Sequence, residues 1–150
     1  MRIILTLFIV VQSFSLFAQA HTDTPNSDIK IIKNFIQDLS NQDIQTDVIL
    51  SKYLIVDNPN DELYEYLLVS LDEKRLNVMS KRIEDIQIIH YKDMPKKQVR
   101  DIDLENIDAH HVYFLHYKQS QVVALYLKEN KIASFTLVSK GNNLAHFVQY

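Results

Sequence analysis

Residues 111–150 constrain this chain most. Three turn signals divide them into four strand-like runs, 111–118, 121–128, 131–139 and 144–150. The breaks are Gln119 and Ser120, then Glu129 and Asn130, then Gly141, Asn142 and Asn143. Gly141 is the single glycine of the protein. A turn is where its tolerance of positive φ is useful. Breaks this short join neighbouring strands antiparallel, so an antiparallel meander is expected.

Helical spacing dominates before that point. Ser27 is placed to cap a helix with Ile29, Ile32, Phe35, Ile36 and Leu39 on one face. A short helix is expected over 46–53. Asn58 at the cap, Pro59 at the first helical position and the acids that follow mark a third start. Leu63, Tyr64, Leu67, Leu68 and Leu71 share its inner side. The helix either runs through Leu76 to Met79 or ends near Arg75, and the longer reading is preferred. Residues 86–91 have strand composition. Residues 93–109 mix Pro95, a basic cluster (Lys96, Lys97, Arg100) and acids, a pattern open to an edge strand or a short helix. Helices first, then a mostly antiparallel sheet, is an α+β layout.

The N-terminus reads as a secretory signal. Arg2 precedes an apolar run over 3–11, and Ala18, Gln19 and Ala20 form a cleavage site. A membrane span needs ~20 apolar residues, about twice this run, so no stable span is expected after cleavage. The expected organisation is a signal over 1–20, a flexible lead over 21–26 and one α+β domain over 27–150. The expected destination is the periplasm or the exterior. With no cysteine, disulfides are impossible even in such a compartment. Stability must come from a core, and a domain of this size buries enough surface for that.

Several chemistries are excluded. One glycine leaves no phosphate-cradling loop, dinucleotide fingerprint or nucleophile elbow. Without cysteine there is no thiol nucleophile or thiolate metal site. The formal charge is −3, and loss of Arg2 with the signal leaves −4, with no basic stripe, so nucleic acid is not expected as a partner. His110, His111 and His116 invite a metal reading. On a strand, however, adjacent side chains oppose each other and positions six apart lie ~20 Å apart. His146, on the last run, would lie roughly 14 Å from the first run in a sequential meander. No metal site and no cofactor are expected. The acids from Asp101 to Glu105 lack the glycine and the closing glutamate of a calcium loop, Val112 standing at the twelfth position. Every aspartate stands in a polar or loop-like context, so no catalytic residue is singled out.

The tyrosines carry the remaining signal. Paired through a Gln119–Ser120 turn, Val112, Phe114 and His116 share a face with Val123, Leu125 and Leu127. Tyr113, Leu115 and Tyr117 then share the other with Val122, Ala124 and Tyr126. Neither face is polar, whereas a sheet with one wet face alternates. Either helices cover one face and tyrosine hydroxyls reach water at the rim, or the second face meets a ligand or another subunit. The second option makes Tyr113, Tyr117 and Tyr126 a binding or association surface. The occupant would be a small apolar ligand, a protein partner, or a second copy forming a homodimer through the sheet face.

In its order of elements the chain resembles the cone-shaped nuclear-transport-factor-two-like domains and the related cystatin-like folds. It is also similar to small exported bacterial proteins of unknown role, on the signal ending Phe17, Ala18, Gln19, Ala20. The resemblance implies a helix-on-sheet scaffold that hosts binding modules, association domains and a few pocket enzymes. An exported noncatalytic binding or association module is expected. The alternative is a small isomerase- or hydrolase-like enzyme, for which a buried carboxylate or histidine in an apolar pocket would be the sign.

Overall fold

The computed structural model describes residues 25–150. The expected signal and residues 21–24 of the expected lead lie outside the described residues. Three helices come first: α1 (Pro25–Ser40), α2 (Thr46–Tyr53) and α3 (Asp61–Met79). α1 starts two residues before the expected cap, Ser27. α2 has the expected bounds, and α3 takes the longer course. The cap of α3 is Asn60, not Asn58: its side chain accepts from Leu63 N at 2.8 Å, and Pro59 stays outside the helix.

Strand β1 (Ile86–His90) follows, then α4 (Lys96–Val99) and β2 (Ile102–Asp103). Residues 93–109 therefore hold both a short helix and a short strand. The last five strands are β3 (Val112–Tyr117), β4 (Ser120–Lys128), β5 (Lys131–Ser134), β6 (Leu137–Gly141) and β7 (Leu144–Phe147).

The strands form two sheets, not one meander. The main sheet has the order β1-β3-β4-β5, antiparallel throughout. The smaller sheet has the order β2-β7-β6, with β2 parallel to β7. The third expected run breaks at Phe135 and Thr136. There Ser134 Oγ donates to the Thr136 carbonyl and accepts from its N–H. Such a local side-chain bond competes with the ladder and ends it.

The main sheet is covered on both faces. Ile32, Phe35, Leu39, Ile49, Leu67 and Leu71 of the helices pack on Tyr113, Leu115, Leu125 and Leu127. On the opposite face Val112, Phe114, Ala124 and Tyr126 pack under Met94, Val99, Ile107 and Phe147. Helices, main sheet and a thin second sheet with its connector make three layers. This explains why neither face of β3 and β4 is polar: the chain closes the second face itself.

Candidate functional site

The tyrosines do not share a face. Tyr113 and Tyr117 lie on the helix side of the main sheet, and Tyr126 lies on the other. The cause is a β-bulge. Tyr117 pairs with Ser120 and His116 with Gln121, but Leu115 pairs with Val123, so Val122 is the extra residue. The turn falls one residue earlier than expected, at Lys118 (φ 57°) and Gln119, which alone preserves the faces. The bulge then flips every later residue of β4 relative to β3. Tyr113 is 1% exposed and Tyr126 8% exposed, so both are core positions. Tyr117 is half-buried, with the Lys118 ammonium 5.3 Å from its ring centroid.

A buried polar cluster stands beside this set. Asp28, 3% exposed, meets His111 Nδ1 at 2.7 Å and accepts from the Tyr113 hydroxyl at 3.2 Å. Burial, with the Asp28 charge behind it, pushes the Tyr113 hydroxyl well above the usual tyrosine range. The expectation that no aspartate enters an apolar setting was wrong for Asp28. The signal was present: Asp28, Ile32, Phe35 and Leu39 fall on one helical stripe, and α1 carries that stripe into the core.

His110 and His111 lie in a 3₁₀ turn (Ala109–His111), not on a strand as expected. His110 Nδ1 meets Asp108 at 2.7 Å, and its Nε2 contacts the Lys92 ammonium. The Asp108 carboxyl is held low chiefly by the His110 backbone N–H and then by the His110 ring. His90 Nδ1 accepts from Lys92 N at 3.3 Å, so its Nε2–H donates to the His110 carbonyl at 3.0 Å. Among the described residues no three metal-ligating side chains converge on one point.

Asp28 and His111 border a pocket of about 230 Å³, together with Tyr126, Leu127, Lys128, Glu129 and Asn130. An aspartate that accepts from Nδ1–H leaves Nε2 as a proton acceptor, the arrangement of an oriented base. No hydroxyl nucleophile other than the phenol of Tyr126 lines the pocket. The tie also joins α1 to the start of β3 across 83 positions of sequence.

A different cavity is larger and more apolar. A groove of about 440 Å³ runs between α1 and β1, lined by Lys33, Ile36, Gln37, Ile83, Ile86 and Ile88, with Glu84 at one end. β1 is an outer strand of the main sheet. The other outer strand, β5, is closed by Ile55 N–H, which donates to the Ile132 carbonyl at 3.0 Å. The acids of the connector are partnered elsewhere: Lys140 holds Asp103 at 3.2 Å and contacts Glu105. Among the described residues no helix is long and apolar enough to cross a membrane. No protein-family model, no curated protein and no solved structure matches this chain.

Proposed function

We propose that this chain is an exported, noncatalytic association module that holds a protein partner or a small apolar ligand. The scaffold is of the helix-on-sheet kind to which the nuclear-transport-factor-two-like resemblance points. The observation that carries the reading is the open apolar groove between α1 and β1, bordered by an outer strand. Isoleucines from α1, from β1 and from the 3₁₀ turn Ile83–Asp85 before β1 converge there without a covering segment among the described residues, and open apolar clefts are where ligands and partners bind. Export rests on the N-terminal sequence, with its apolar run and small-residue cleavage site.

One observation favours the pocket-enzyme reading: buried Asp28 against His111 beside a small pocket. Against it, the pair is the tie that fastens α1 to the start of β3. A native mass spectrum of protein recovered from its own host tests the two readings. The association reading expects a retained partner or ligand of defined mass on a chain that begins at His21. A bare chain in repeated preparations, or intact Met1 in a membrane fraction, contradicts it.

A further inference from the structure

We propose that the outer edge of β1 takes up an extended segment of a partner protein and adds it to the main sheet as a fifth strand. The inference rests on the association reading and names its mode. On an outer strand, alternate residues turn N–H and C=O away from the sheet. Among the described residues no strand pairs with that side of β1, and at its start the Ile86 N–H turns back to the Ile83 carbonyl. Three of the usual protections of an edge are missing as well. Ile86–His90 contains no lysine and no proline, and its pairing with β3 runs without a bulge. Beside this edge lies the groove. A strand laid along β1 turns every second side chain towards Ile83, Ile86 and Ile88, below α1.

Charge selects the occupant. α1 runs antiparallel to β1: Asp28 in its first turn is tied to His111, while Ile36 and Gln37 meet Ile83 and Glu84. Lys33 therefore lies level with the middle of β1. The β1 strand of a second copy, Ile86–His90, carries no acidic side chain to meet Lys33. The occupant is instead a segment of a different protein, at least as long as β1. It is aliphatic at alternate positions and carries an acidic side chain level with Lys33.

The probe is a labelled peptide alternating valine and threonine around a central glutamate, added to the purified protein. Binding is read by fluorescence anisotropy and by amide hydrogen exchange. Saturable binding is expected, with new protection confined to the amides of Ile86–His90. N-methylation of alternate peptide residues should weaken binding at least tenfold in one phase and leave it intact in the other. Lys33→Glu, at an exposed position, should weaken binding about threefold, the scale of an exposed ion pair. A peptide with a central lysine should restore it. Absence of saturable binding, equal loss in both methylation phases, or protection elsewhere overturns the proposal. A dimer protected at Ile86–His90 also overturns it, by giving the edge to a second copy. A retained partner in the native mass spectrum alongside any of these results removes this mode and leaves the association reading standing.

Discussion

At the residue scale, Tyr113 and Tyr117 separate core from rim. Tyr113 is fully buried and bonded to Asp28, while Tyr117 is half-buried beneath lysine side chains. Tyr113→Ala should cost ~3 kcal/mol or more in urea unfolding, as large buried aromatics do, and Tyr117→Ala about 1 kcal/mol. Equal costs would contradict the assignment. Asp38 supplies a pH test. The hydrogen bond from Lys52 at 2.7 Å, helped by the Tyr53 hydroxyl at 2.7 Å, holds its carboxyl below the ordinary 3.8. A carboxylate lowered by folding contributes stability that is present above its unfolded value and lost as pH falls through its folded value. Asp38→Asn should therefore lower the melting temperature at neutral pH and lose that deficit below pH 3.8. A deficit independent of pH would show that the carboxylate charge is not the cause. The tyrosine placements were not legible in the sequence because Val122 and Val123 are both apolar. Either fits a buried strand, so nothing in the pattern marks the bulge, and one extra residue moved Tyr126 to the opposite face.

At the element scale, helix spacing was the readable signal. α2 lies where it was expected, and α3 continues to Met79 because Val78, 1% exposed, extends its buried side. Starts were harder, since Asn58 and Asn60 offer the same cap chemistry on either side of Pro59. The structure chooses Asn60, which leaves Asp61 and Glu62 in the first turn, where negative charge meets the helix dipole favourably. Asn60→Ala should cost ~1 kcal/mol of unfolding free energy, and Asn58→Ala a few tenths at most. The reverse ranking would restore the earlier start. Tyr64, expected on the inner side of α3, is instead exposed, together with Tyr66, Val69 and Leu76. The Asp28–His111 bond went unseen because it joins a helix start to a turn far along the chain. No local pattern encodes such a contact, although the stripe position of Asp28 does mark that residue as inward.

At the scale of the whole molecule, the order of helices and strands gave the α+β class, and the two apolar faces of β3 and β4 left open whether the second is met by a ligand, another subunit or the chain itself. What covers the second face was not legible, because β2, β6 and β7 are short and their pairing is non-local. The chain closes both faces of its main sheet and leaves an open apolar groove beside β1. Phe114 of the main sheet, 1% exposed, and Phe147 of the covering sheet, 4% exposed, belong to one buried cluster. Urea unfolding of Phe114→Ala tests this most directly, with Phe147→Ala alongside to probe the covering strand. The account predicts a loss of ~3–5 kcal/mol for Phe114→Ala, and a loss of the same order for Phe147→Ala, with an unchanged slope against urea. A loss under ~1 kcal/mol for both would mean that the second face is open surface, and would contradict the three-layer account.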